Sequence, residues 1–260
     1  MLKKFSLIFS LTLAFSLLFV NKDFAQAKKA PVKKTTTVKT VKKTTPVKKT
    51  VQEVKAAATV TPVMNGGSIR IRIITDSGTM IVKLYDSTPL HRDNFAKLVQ
   101  QGFYDSLMFH RVIAGFMIQG GDPLSKNAAA GIMLGNGGDN MERIPAEFKP
   151  YLFHKKGVLA AARDGNPQKA SSACQFYIVD GNPANDDMLT GLEQRQGRKY
   201  TPEQRSIYKT IGGTPFLDME YTVFGEVESG MEVIHKIATV PKDQSDRPLG
   251  DIRMRMELVK

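Results

Sequence analysis

Phe109-His110-Arg111-Val112-Ile113-Ala114-Gly115-Phe116-Met117-Ile118-Gln119-Gly120-Gly121-Asp122 is the stretch on which the reading of this chain turns. Two short apolar segments, 109–113 and 116–119, flank an Ala-Gly step, which predicts a β-hairpin or bent strand pair. Alternate residues of a strand share a face, so the run can bring Arg111, Met117 and Gln119 to one apolar concavity. A fixed cation beside such a hollow suits a mostly apolar ligand with one polar atom to be stabilised. His110, between Phe109 and Arg111, is expected to face the other way as a hydrogen-bonded structural histidine.

Working outward, Ile69–Thr75 and Thr79–Tyr85 alternate apolar and polar residues around Asp76-Ser77-Gly78, predicting an opening hairpin. Residues 89–101 place Phe95, Leu98 and Val99 on one helical face, with Thr88-Pro89 as cap and first position and Gly102 as stop. His91-Arg92-Asp93 is read as surface of that helix. Further short strands are expected at 157–162, 175–179, 222–227 and 252–259, and a helix at 231–238. Many short strands and two helices predict a mainly β fold, a closed antiparallel barrel of about eight strands capped by those helices. Residues 187–212 break the rhythm. Met188, Leu189 and Leu192 read as one helix, and Thr201-Pro202-Glu203-Gln204 as a capping box opening a second that stops at Gly212-Gly213, so a helical hairpin is inserted in a loop.

The two ends of the 260-residue chain differ in kind. Residues 1–27 have the form of a signal peptide: Lys3 and Lys4, the uncharged run Phe5–Val20, then Ala25-Gln26-Ala27. Residues 28–66 are a linker of Lys, Thr, Val, Pro and Ala. By residue 60 its ten lysines against Glu53 give +9; the leader contributes +2, so the formal +12 of the chain leaves +1 for residues 61–260. The linker lacks the apolar area to offset chain entropy and is expected to be disordered and extended. Such lysine runs could bind nucleic acid, but an exported segment meets none; the segment reads first as a solubilising tether and second as a loose adhesive to anionic headgroups or cell-wall polymers. Residues 67–260 remain, enough for one domain with a full core. The single Cys174 excludes an internal disulfide and has no base spaced beside it, so it reads as structural. Gly135–Asn140 holds too few acids for a calcium loop, and His154 and His235 lack metal-ligand spacing. No metal or cofactor is expected.

Several segments in order carry a resemblance: the opening run, Asn94-Phe95 with Gly102-Phe103-Tyr104, Ile144-Pro145-Ala146-Glu147-Phe148, Gly157–Ala162, Gln175-Phe176-Tyr177-Ile178, and Leu217-Asp218 with Thr222–Val227. Over most of residues 67–260 the chain resembles the cyclophilins, the peptidyl-prolyl cis-trans isomerases. That resemblance implies Arg111 as the catalytic cation, with Gln119 and Gln175 holding the substrate backbone. It implies a proline pocket of Phe116, Met117, Tyr177, Phe216 and Leu217, with Ala162 and Arg163 along the groove. Tyr221 falls where many members have His. Phe216 falls where cyclosporin-sensitive members have Trp, so the indole N–H donor is absent. The expected function is isomerisation of X-Pro bonds in exported proteins, by a monomer in the periplasm or cell envelope whose partners are proline-containing polypeptides. Two other readings compete: a non-catalytic proline-peptide-binding chaperone using the same groove, and an envelope-adhesion protein working through its lysines.

Overall fold

Period-two patterning shapes the first hairpin. In strand β1 (Arg70–Thr75) Ile71 and Ile73 are fully buried, and in β2 (Gly78–Leu84) so are Met80, Val82 and Leu84. The antiparallel register sets Ile71 against Val82 and Ile73 against Met80. The outward Arg72 pairs with Glu257 of the adjacent strand, and Arg70 reaches past β2 to Glu228. The structure, a computed structural model, describes residues 68–259. The expected leader at 1–27 and the expected linker at 28–66 lie outside the described residues.

Six more strands follow: β3 (Phe109–Ile113), β4 (Met117–Gly120), β5 (Val158–Ala161), β6 (Phe176–Val179), β7 (Val223–Ser229) and β8 (Met254–Leu258). All pairings are antiparallel, in the order β3-β4-β6-β5-β7-β2-β1-β8. The result is mainly β, a curled half-barrel with four helices: α1 (Pro89–Gln100), α2 (Asp186–Gln196), α3 (Pro202–Thr210) and α4 (Met231–Ala238). The expected complete closure is corrected. Between the edge strands β3 and β8 there is only a seam, the bridge Met108↔Arg253 with backbone bonds from Ser106, Phe109 and Met254. The cause is local: beyond Phe109 the free edge of β3 meets a loop, with Val112 N–H donating to Asp246 O (2.8 Å) and Lys242 Nζ to Val112 O (3.1 Å).

On β4, β5 and β6 both faces are buried, so alternation in polarity disappears while alternation in direction stays. Ile118, Leu159, Phe176 and Ile178 point inward with Phe95 of α1 and Ile234 of α4. Met117, Val158, Ala160, Tyr177 and Val179 point the other way and form a second cluster with Phe116, Leu217 and Tyr221. Cys174 is buried and free, and burial raises its thiol above the usual range.

Two local expectations change. Thr88 makes no side-chain cap; its neighbour Pro89 opens α1, and Glu147 reaches in from 57 residues away to accept from Leu90 N–H (3.1 Å) and His91 N–H (3.0 Å). A carboxylate at a helix N-terminus also meets the dipole favourably. His91 is therefore not surface but buried, bonded to Glu147 (2.7 Å) and Ser171 (3.0 Å), while Arg92 and Asp93 pair outside. The inserted hairpin forms as read: Asn185 caps α2, Gly197 ends it in the left-handed region, and Thr201 with Gln204 makes the capping box of α3. Its two ends meet at the bridge Asn182↔Gly213.

Candidate active site

The Ala114-Gly115 step turns β3 into β4, with Gly115 at φ +71° and its N–H held by Asp180 Oδ2 (2.7 Å). The register then puts Arg111 directly opposite Gln119, and Gln119 opposite Tyr177 on β6. These side chains share the outer face and open on a cavity of about 140 Å³ lined by Arg111, Phe116, Met117, Gln119, Ala162, Arg163, Tyr177, Leu217 and Tyr221. Met117 and Tyr177 form a buried floor. Arg111 stands half exposed at the rim, its guanidinium 5.9 Å from the Phe116 ring centroid and its Nε 3.7 Å from Asp246 Oδ2.

Two expected residues lie outside this cavity. Phe216 is exposed at the mouth, where its ring tilts against Phe116 at 5.8 Å. Gln175 lines an adjoining cavity of about 280 Å³ that shares Gln119, Ala162 and Arg163 with the first. Its amide already donates to Gly135 O and Gly137 O (2.9 Å each), and its oxygen accepts from Gln119 Nε2 (3.2 Å). Gln175 thus ties the 135–137 loop to Gln119. Arg163 lies under Tyr221, its guanidinium 4.7 Å from that ring and its Nε donating to Glu220 O (2.9 Å). Tyr221 in turn meets Tyr177 edge-on at 5.9 Å.

His110 faces away from the cavity, as expected, but finds no hydrogen bond. It is buried against the Gly135 loop, and neither ring nitrogen has a partner among the described residues. Burial pushes its pKa down to about 4 against the pull of Asp122. Asp122 is occupied elsewhere, accepting from Leu124 N–H (2.7 Å) and from Gly135 N–H.

Residues that the motif reading passed over complete the site from behind. The Tyr177 hydroxyl reaches His154 Nε2 (2.9 Å), and His154 Nδ1 reaches Asp218 Oδ1 (2.8 Å). Asp218 can only accept, so Nδ1 carries a proton, and Nε2 meets the Tyr177 hydroxyl. Burial drives the Tyr177 pKa far above the ordinary phenol value, keeping the hydroxyl a donor. The available signal was Tyr177 itself, because a buried phenol requires a partner.

Residues 70–257 match the family described as cyclophilin type peptidyl-prolyl cis-trans isomerase/CLD. A Staphylococcus saprophyticus protein named a peptidyl-prolyl cis-trans isomerase is 35% identical over 192 residues, 73% of this chain and 90% of the relative. A Staphylococcus aureus protein of the same name is 32% identical over 187 residues, 72% of this chain and 89% of the relative. The fold is that of a Cryptosporidium parvum cyclophilin type isomerase, with TM-score 0.54 and 24% identity, covering 75% of this chain and 99% of that one. The same protein crystallised in the presence of the dipeptide Ala-Pro gives TM-score 0.53. The chain belongs to the cyclophilin-type peptidyl-prolyl cis-trans isomerases.

Proposed function

We propose that this isomerase speeds rotation about X-Pro bonds in proteins folding outside the cytoplasm, with Arg111 as the catalytic cation. Turning a peptide bond costs about 18–20 kcal/mol because resonance must be broken. In the twisted state the prolyl nitrogen regains its lone pair and accepts a hydrogen bond. A guanidinium aimed there stabilises the twisted state above either planar one, and it keeps its charge at any physiological pH. The proline ring enters the cavity floored by Met117 and Tyr177, Gln119 holds the preceding backbone, and residues before the proline extend into the neighbouring cavity. No proton has to move. The observation that carries this reading is the Arg111–Gln119 pair set across one ladder at the rim of an apolar hollow. The Ala-Pro dipeptide used with the C. parvum relative supports the ligand class.

Export is supported by the leader-like residues 1–27, and the lysines of 28–66 act as a tether with loose affinity for anionic headgroups or cell-wall polymers. Uncatalysed X-Pro isomerisation takes about 10–100 s, long enough to limit folding of proline-containing clients there. The protein works as a monomer in the periplasm or envelope. A protease-coupled assay on an Ala-Pro peptide tests the activity: wild type exceeds background and Arg111→Ala loses most of that rate. A wild type at background sinks the proposal, and a fully active Arg111→Ala removes Arg111 from its role. Sedimentation of the full chain and of a deletion of 28–60 with anionic vesicles tests the tether; equal binding by both discards it.

A further inference from the structure

The inserted hairpin is bonded to the back of the cavity at two places, through side chains that the isomerase reading leaves without a task. The first is Asp218. Its Oδ2 accepts from Tyr208 Oη (2.6 Å) and Arg198 Nη2 (3.0 Å), both from the insertion. Its Oδ1 accepts from His154 N–H (2.6 Å) and Nδ1 (2.8 Å), and His154 passes the connection to the Tyr177 hydroxyl on the cavity floor. Tyr208, Asp218, His154 and Tyr177 are all buried, so each bond lies in a low-dielectric interior where geometry is held tightly. The second place is the turn Pro215–Leu217, whose Leu217 walls the cavity. Pro215 O accepts from Arg198 Nη2 (3.1 Å) and Tyr200 Oη (2.9 Å), and Phe216 O accepts from Gln196 Nε2 (3.1 Å).

We propose that the hairpin 186–210 is part of the machinery that grips proline, Tyr208 being a positioning residue for Tyr177 and Arg198 one for Tyr177 and for the turn that carries Leu217. This rests on the cavity being the proline site. A buried carboxylate stays ionised only when its acceptor sites are filled. Burial pushes Asp218 up, but the bonds from His154 and Tyr208 outweigh it together and hold the carboxyl below the ordinary range. Removing the Tyr208 hydroxyl leaves Asp218 short of one charge-assisted bond. The carboxylate then re-aims toward Arg198, His154 loses its fixed orientation, and Tyr177 loses a stationary acceptor. Arg198, stacked at 4.7 Å on Tyr200, acts on both the relay and the turn.

The test uses the full chain carrying Tyr208→Phe, which deletes one oxygen and keeps the packed ring. KM and kcat for an Ala-Pro peptide are read beside the methyl resonances of Met117 and Leu217. The expected result is KM raised about threefold or more with kcat changed less, and displaced Met117 methyl signals. In a Tyr177→Phe background the same substitution leaves KM where Tyr177→Phe alone set it, because the relay ends there. Wild-type KM and methyl positions in Tyr208→Phe, whatever its melting temperature, overturn the proposal; so does a Tyr208→Phe effect that adds in full to that of Tyr177→Phe. An inactive wild type removes the isomerase reading instead, and the methyl spectra still decide whether hairpin and cavity are coupled.

Discussion

Arg111 Nε stands 3.7 Å from Asp246 Oδ2 along the outer edge of β3, the edge away from β4. The separation is too long for a hydrogen bond, and both side chains are substantially exposed, so the pair contributes at most about 1 kcal/mol. Asp246 is held more closely by Lys242 Nζ at 2.7 Å. The carboxylate therefore orients the guanidinium without neutralising it.

Asp246→Asn is expected to lower kcat/KM on an Ala-Pro peptide by less than about fivefold, the equivalent of that modest coupling. Arg111→Lys loses tenfold or more, because a compact ammonium cannot reproduce the planar fork. An Asp246→Asn loss as deep as that of Arg111→Ala contradicts the orienting role.

Gln175→Glu replaces a donor shared by Gly135 O and Gly137 O with an acceptor that faces them. Leaving those carbonyls unmatched costs about 1–3 kcal/mol. Hydrogen exchange at 135–137 quickens, the urea midpoint falls, and kcat/KM drops as the carboxylate, repelled by those two carbonyls, carries the acceptor of Gln119 Nε2 out of place. Unchanged exchange in this loop rules the tie out.

At the root of the insertion, a methyl on Gly213 lands on the His154 carbonyl oxygen and the Tyr208 ring. Gly213→Ala is expected to cost about 2–4 kcal/mol, lowering the melting temperature by roughly 5–10 °C. Gly191, inside α2 with open space around it, gives the opposite sign: Gly191→Ala stabilises by about 0.5–1 kcal/mol. Thermal scans of the two variants settle both directions.

His110 makes stability fall in acid. Its pKa is depressed from 6.5 to about 4 in the folded chain, so below pH 6.5 the unfolded chain takes up a proton that the folded one refuses. Stability is complete above pH 6.5 and is lost as pH falls toward 4, by about 3 kcal/mol in total. Urea titrations at pH 7, 5.5 and 4.5 report the slope, and His110→Gln flattens it across that window. An equal slope in the variant assigns the acid sensitivity to other groups.

Elements were legible where their signal is short-range. Ile71 and Ile73 alternate within one strand, Thr201 and Gln204 cap one turn, and the strand pair 109–120 carries Arg111 and Gln119 on one face within a dozen residues. Six short segments in order pointed to the family, and nine of the eleven expected site residues, Arg111 among them, line the cavity. Phe216 and Gln175 were displaced from it for tertiary reasons: the turn 215–217 aims Phe216 at Phe116, and the 135–137 loop claims the Gln175 amide.

Pairing across long sequence separations belonged to the tertiary structure alone. Glu147 rather than Thr88 caps α1, a loop rather than β8 meets the edge of β3 beyond Phe109, and His110 is buried without a partner among the described residues. Tyr177, His154, Asp218 and Tyr208 become one bonded line only when four separate segments converge. Periodicity and caps are set by neighbours a few residues apart, so the amino-acid order determines them by itself. Which buried donor meets which acceptor depends on how the sheet curls and where the insertion folds back, and that geometry is decided by packing of the whole domain.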